Sequence, residues 1–279
     1  MLHIVWDPEL GIKIGSIFLK YYSLMFALAF AMGWLIMYYI VKREKIDKKY
    51  LDPLFIYMFI GVMLGGRLGH VIFYEPQIFT KDFLSVFLPF QFNPTFTFTG
   101  FHGLASHGAF IGGLISCYLF SKKISKPFLW YMDRITIPVM LGCALARIGN
   151  FFNSEIIGKP FNGEWAVLFK QQSFYYGEIV PRHASQLYES IGYFLLFILA
   201  SVLYLKTNLK QNKGQIFSII LIFGFLVRFL VEFLKEPQGN EMISFLGLNS
   251  GQILSIPPIL VGIFLFFIIQ QKKTRFSIK

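Results

Sequence analysis

The amino-acid sequence predicts an all-α membrane protein of seven transmembrane helices, with a small head region outside the bilayer. Three observations lead there. Of the 279 residues, 55% are hydrophobic and 15% are charged, and the mean hydropathy is +0.58, far from the usage of a soluble domain. Apolar stretches close to the roughly 20 residues that a helix needs to cross about 30 Å of hydrocarbon recur along the chain. Basic residues gather in alternate connections between those stretches, the pattern of short cytoplasmic loops.

The first stretch runs from Ile17 to Val41. It is longer than the apolar core of a signal peptide, Asp7 and Glu9 stand where a basic leader belongs, and no small-residue cleavage site follows. The segment is therefore expected to stay in the mature chain. The second runs from Leu51 to Phe73, and the third, short and rich in glycine, from Leu104 to Phe120. The intervening Phe83 to Phe92 run is apolar too, but Pro89 breaks it, and its phenylalanines suit the lipid–water interface. The remaining four run from Phe128 to Phe152, Ser185 to Leu205, Gly214 to Leu234 and Gly251 to Ile269. With no internal repeat and no low-complexity linker, residues 1–279 read as a single polytopic membrane domain. Its head comes mainly from residues 74–103 and 152–183.

Orientation follows from the lysines and arginines. Lys42, Arg43, Lys45, Lys48 and Lys49 follow the first span; Lys122, Lys123 and Lys126 follow the third; Lys206, Lys210 and Lys213 follow the fifth; and Lys272, Lys273, Arg275 and Lys279 end the chain. The opposite loops hold Lys13, Lys81, Lys159, Lys170 and Arg182. This asymmetry puts the N-terminus on the periplasmic side and the C-terminus in the cytoplasm. The net charge of +11 lies beside spans, where anionic headgroups account for it more simply than nucleic acid, so no nucleic-acid partner is expected. Cys117 and Cys143 both fall inside spans and lack the spacing of a zinc site, so neither a structural disulfide nor a metal or cofactor is expected.

An ionisable side chain near the bilayer centre costs at least about 2.5–3.5 kcal/mol on insertion scales, so each one needs a partner or a task. Arg67 lies in a run of glycines, Gly61, Gly65 and Gly69, whose spacing lets another helix approach closely. Packing explains the glycines and leaves the arginine unexplained. His107 opens the third span beside Gly108; it can exchange a proton near neutral pH, or simply serve helix packing. His102, five residues earlier, reads as interfacial.

The densest run is Arg147-Ile148-Gly149-Asn150-Phe151-Phe152-Asn153-Ser154-Glu155-Ile156-Ile157-Gly158, which leaves the fourth span for the outer loop. Arg147, Asn150 and Asn153 fall on neighbouring faces of a helix and can reach one polar cavity, with Glu155 close by. The fifth span opens with Arg182-His183-Ala184-Ser185-Gln186-Leu187-Tyr188-Glu189, where Ser185 can cap the helix and Glu189 must face the bundle. Arg228 and Glu232 are four residues apart on the sixth span and could neutralise each other, yet a guanidinium can serve a carboxylate and a phosphate together. Arg147 and Arg228, both towards the outer side, suggest a clamp for one anion, and a phospholipid phosphate is the anion found at that depth. Asp133 and Arg134, at the opposite end of the fourth span, read as an interfacial pair.

The Arg147 to Gly158 run resembles the signature G-R-x-G-N-F-x-N-x-E-x-x-G of the prolipoprotein diacylglyceryl transferase family. Gly65 to Gly69, Ser106 to Gly112, Arg182 to Glu189, Arg228 to Pro237 and Gly251 to Pro257 extend the similarity over almost the whole chain. Departures are Ala146 where the family commonly has Gly, Ala184 where Pro is common, Ala109 in place of a second Gly, and Lys235 where Arg is common. The last removes bidentate hydrogen bonding at that position.

The resemblance implies transfer of the diacylglyceryl group of phosphatidylglycerol to the lipobox cysteine of a prolipoprotein signal peptide, in the inner membrane, without a cofactor. The product is a thioether, and glycerol phosphate is released. It further implies that His107, Arg147 and Arg228 are important to activity, with Tyr22, Asn150 and Gly158 nearby. On this reading His107 takes or steers the thiol proton, the two arginines hold the phosphate and Asn150 orients the headgroup. Arg67, Asn153, Glu155, His183, Glu189 and Glu232 line the substrate site with Tyr22 and Gly158. Another phospholipid-headgroup transferase is the nearest alternative. A transporter is a more distant one, since it would spread polar residues to both faces.

Overall fold

The computed structural model describes residues 3–15, 17–88, 90–91, 95–98, 103, 105–172, 179–237 and 247–277, so that His102 lies outside them. In chain order the helices are α1 (Tyr21–Arg43), α2 (Leu51–Tyr74), a single turn α3 (Ile78–Lys81), α4 (Ser106–Lys123), α5 (Phe128–Phe152), α6 (Ser185–Lys206), α7 (Gln215–Glu232), a short α8 (Ser250–Ile253) and α9 (Ile256–Ser277). Strands β1 (Ile4–Trp6), β2 (Gly11–Ile14), β3 (Ile17–Lys20), β4 (Phe90–Gln91), β5 (Thr97–Phe98), β6 (Val167–Phe169) and β7 (Pro181–Arg182) complete the described elements. The chain is thus mostly helical, as expected of a membrane protein, with small sheets that hydropathy did not predict.

Among the described residues, six helical segments are long and apolar enough to cross a membrane: α1, α2, α5, α6, α7 and the α8–α9 stretch. Helix α4 forms where the third span was expected but is not among the six, because Lys122 and Lys123 at its end, with His107, the glycines and the serines, dilute its apolar residues. The aromatic Phe83 to Phe92 run makes a 3₁₀ turn and the strand β4 instead of a spanning helix.

The chain divides into two compact units, Val41–Tyr131 and the remainder, Met1–Ile40 with Met132–Lys279. In the first unit α2 and α4 meet through their glycines. A Cβ on Gly65 would overlap the Gly108 carbonyl, and one on Gly108 would overlap that of Gly65; Gly61 and Gly112 are interlocked in the same way. The contact is backbone on backbone, as small-residue helix pairs allow. Ser116 Oγ adds a hydrogen bond to the Tyr57 carbonyl (2.8 Å), and the Ala105 N–H donates to Gly66 (2.9 Å).

In the second unit the expected start of the first span moves from Ile17 to Tyr21, because Ile17–Lys20 pairs with Gly11–Ile14 as an antiparallel hairpin. β1 runs parallel to β6, with Trp6 opposite Phe169, and β6 pairs antiparallel with β7. This sheet covers the end of α5. Phe151, Ile157, Val167, Phe169 and Ala184 form a buried cluster, on which Trp6 packs with its ring 4.3 Å from that of Phe151 and its Nε1 donating to the Phe151 carbonyl (2.9 Å). The head is therefore fastened to the helix that carries Arg147. The last span breaks at Leu254–Ser255: Asn249 and Gln252 close a capping box on α8, and Pro257 and Pro258 sit in the first turn of α9, where a missing N–H costs nothing.

Candidate active site

α5 ends in a turn that folds back on itself. Ser154 and Ile156 both adopt left-handed backbone conformations, with φ of 53° and 57°. For a β-branched residue such as Ile156 this is an outlier costing about 1–3 kcal/mol, kept only where neighbours dictate it. Here they do. Gln186 Nε2 donates to the Glu155 carbonyl (2.6 Å), Ser185 Oγ to that of Ile156 (2.7 Å) and the Glu236 N–H to that of Ile157 (3.0 Å). Ser185 thus holds the turn and does not cap α6.

The turn brings the signature's polar groups together. Arg147 Nη1 donates to Asn150 Oδ1 (3.0 Å), Asn150 Nδ2 to Glu155 Oε2 (3.2 Å) and Asn153 Nδ2 to Glu155 Oε1 (2.5 Å). Asn153 therefore joins the cluster through Glu155. Tyr22 of α1 lies against Gly149, where a Cβ would press on its ring, and its hydroxyl is a hydrogen-bond partner of Asn150.

A chain of buried charges continues inward. Glu189, fully buried on α6, has Oε2 2.7 Å from Arg147 Nε and Oε1 3.0 Å from Lys235 Nζ. The Arg147 contact is an ion pair without hydrogen-bond alignment, so Oε2 keeps acceptor capacity. Lys235 Nζ also lies 2.9 Å from Glu232 Oε2, and Asn249 and Gly251 close over that carboxylate from the far side. Of the two readings open for Arg228, mutual neutralisation with Glu232 does not occur among the described residues, because Lys235, in the turn after α7, takes the carboxylate. Among the described residues Arg228 makes no ion pair, although Glu189 attracts it at longer range. With Glu155, tied to Arg147 through Asn150, the set holds three cations (Arg147, Arg228 and Lys235) and three carboxylates (Glu155, Glu189 and Glu232). Arg147 and Lys235 are each engaged at short range, whereas Arg228 presents a half-buried guanidinium with no ion pair among the described residues.

Gly158 and His183 lie beside this set. Gly158 bridges Lys235, its N–H donates to the His183 carbonyl (2.9 Å), and a Cβ would overlap both His183 and the Leu234 carbonyl. Arg182 pairs with Glu236 across the same crossing and donates to the Gly158 carbonyl (3.3 Å). The His183 ring stacks on Phe161 at 4.0 Å, and its Nδ1 lies 3.2 Å from the Tyr188 hydroxyl. Burial lowers its pKa below the usual histidine value, favouring the neutral ring.

The other unit carries the two remaining expected residues. His107 is exposed, one residue into α4, and Arg67 Nη2 donates to the Ser85 carbonyl (2.8 Å), holding the 3₁₀ turn that follows α3. Lys235 and Asn249 join the charged chain without having been singled out as site residues. Among the described residues no group of three or more His, Cys, Asp or Glu side chains gathers in a way that could hold a metal.

Residues 9–268 match the family described as prolipoprotein diacylglyceryl transferase. The chain is 37% identical over 277 residues to the phosphatidylglycerol–prolipoprotein diacylglyceryl transferase of Bacteroides fragilis, with 98% of each chain covered. It is 38% identical over 269 residues to that of Chloroherpeton thalassium, covering 95% of this chain and 94% of the relative. With that of Porphyromonas gingivalis it shares 37% over 275 residues, covering 94% and 93%. The polar turn at the end of α5 thus sits in a match that spans nearly the whole sequence, and the chain belongs to the prolipoprotein diacylglyceryl transferase family.

Proposed function

We propose that this multi-pass membrane enzyme transfers the diacylglyceryl group of phosphatidylglycerol to the lipobox cysteine of a prolipoprotein, using Arg147 and Arg228 to hold the phosphate. The observation that carries the site is that Arg228 makes no ion pair among the described residues, beside Arg147 and Lys235 that are already paired with Glu189 and Glu232. In the reaction the cysteine sulfur forms a bond to the glyceryl carbon next to the phosphate. The carbon–oxygen bond breaks, its electron pair passes to the phosphate oxygen, and glycerol phosphate leaves. The phosphate gains one negative charge as the thiolate loses its own. Preorganised donors aimed at such developing charge are worth about 3–4 kcal/mol each. Asn150, fixed between Arg147 and Glu155, orients the headgroup, and Tyr22 borders it.

A free thiol has a pKa near about 8.5, so the positive site or a base must favour the thiolate. His107, exposed at the mouth of α4, is the base in this reading, and Arg67 supports the loop before that helix. Seven spans, with α4 as the third, put the N-terminus and the head, from residues 74–103 and 152–183, in the periplasm. The basic residues after the first, third, fifth and seventh spans support this orientation in the bacterial inner membrane. Both substrates then reach the site from within the bilayer, and the whole chain acts as one polytopic domain.

The test is incubation of the purified enzyme with glycerolipid-labelled phosphatidylglycerol and a lipobox peptide. Label on the peptide cysteine, with release of glycerol phosphate, is the expected result. Transfer of the headgroup to another acceptor, or movement of lipid without chemistry, would replace it with a different function.

A further inference from the structure

Asp133 does more than pair with its neighbour. It is fully buried near the start of α5, and Arg134 Nη1 is 3.9 Å away, but its shorter contacts are to another helix. Asp133 Oδ2 accepts the N–H of Gly214 at 2.7 Å, and Oδ1 accepts that of Phe217 at 2.9 Å. The first N–H groups of any helix lack partners within it. α7 cannot supply a cap of its own, because its N-cap is Gly214, with φ of 95° and no side chain. A carboxylate from α5 therefore caps α7, at the end where a negative charge also suits the helix dipole.

The distances beyond this tie match. Arg147 lies 14 residues past Asp133 along α5, and Arg228 lies 14 residues past Gly214 along α7. At a rise of 1.5 Å per residue, each arginine stands about 21 Å from the tie. At the far end the helices are linked again, through Arg147, Glu189 and Lys235. α7 is thus tied to α5 directly at its start and, through Glu189 of α6, by the turn after its end, so its axial position bears on whether the two guanidinium groups share a level.

We propose that Asp133 is a positioning residue: by capping α7 from α5 it sets Arg228 at the depth of Arg147, so that both reach one phosphate. This rests on the reading that the two arginines share that phosphate. A cap that only stabilised its helix would act on stability without regard to Arg228. A cap that sets register acts through Arg228, since a misplacement of about 1 Å can cost about a hundredfold in rate.

A double-mutant cycle separates the two. Turnover and KM for phosphatidylglycerol are measured per folded molecule for Asp133→Asn, Arg228→Ala and the double variant, with thermal melting alongside. The expected result is a fall of about tenfold or more in kcat for Asp133→Asn and less than about twofold further loss when it is added to Arg228→Ala, the signature of coupled sites. Full multiplication of the two losses, or native turnover in folded Asp133→Asn, overturns the proposal. If Asp133→Asn does not fold, the same cycle with Asp133→Glu decides, because it keeps both acceptor oxygens on a longer stem. If Arg228→Ala alone is fully active, the shared-phosphate reading fails instead.

Discussion

Glu189 holds Arg147 across 2.7 Å with its carboxylate wholly buried, so the arginine's direction is set before any substrate arrives. A buried carboxylate that also binds Lys235 fixes Arg147 and Lys235 in place, whereas Arg228 is attracted by it only at longer range.

The two arginines should therefore respond differently to removal. Arg228→Ala is expected to lower kcat/KM about 100- to 1,000-fold while the melting temperature stays near native, because no ion pair is broken. Arg147→Ala should lose activity and also stability, since it leaves the buried Glu189 with Lys235 as its one remaining short ion pair among the described residues. Melting curves and transfer rates on the same preparations check both, and equal destabilisation by the two variants contradicts the assignment.

Breaking the buried chain at its centre is more severe. Removing one partner of a buried pair costs about 3–5 kcal/mol, so Glu189→Ala should destabilise strongly by taking from Arg147 its ion-pair partner and from Lys235 one of its two. Adding Lys235→Met to Glu189→Ala should cost less than the sum of the single changes. Chemical denaturation of the four proteins in one detergent measures this, and strict additivity would mean the groups are independent.

Gly158→Ala is expected to perturb the head before it touches chemistry. The new methyl would overlap the His183 backbone and the Leu234 carbonyl, so three strand segments must part. Protease digestion should then cut within residues 152–183 in the variant and spare the native protein. Native resistance together with native activity would show that the crossing can yield.

The head should also weaken in mild acid. The His183 pKa is lowered by burial in the folded protein, so the unfolded chain binds the proton more readily. The stability this contributes is present above the ordinary histidine pKa, about 6.5, and is lost as pH falls through the lower folded value. His183→Phe, which keeps the stack on Phe161, should flatten that part of the melting profile. An unchanged profile between about pH 5 and pH 7 would assign the acid sensitivity to another group.

Much of this was legible in the sequence because it depends on short separations. The Arg147–Asn150 contact follows from helical spacing, and most spans begin and end within a few residues of their hydropathy. What was not legible depends on distant partners. Glu232 could have neutralised Arg228 four residues away, but Lys235, in the turn after the helix, takes it instead. Ser185 has the chemistry of a cap, yet it donates to a carbonyl 29 residues earlier. β1 has no local signature, because its partner strand lies more than 150 residues along the chain. Ile17–Lys20 is apolar enough to extend a span, and only its pairing with Gly11–Ile14 makes it a hairpin. Asp133, read as half of an interfacial pair, finds its main partners at Gly214 and Phe217.

The glycine interlock of α2 with α4 bears on how the protein is made. α4 falls short of the apolarity that would carry a segment into lipid unaided, and it bears His107. On the proposed seven-span topology a nascent α4 enters as a passenger, docked on a neighbour that inserted before it, and α2 is the escort whose surface fits. A bulky side chain at Gly65 would then leave the sequence of α4 untouched and still deny it entry to the bilayer.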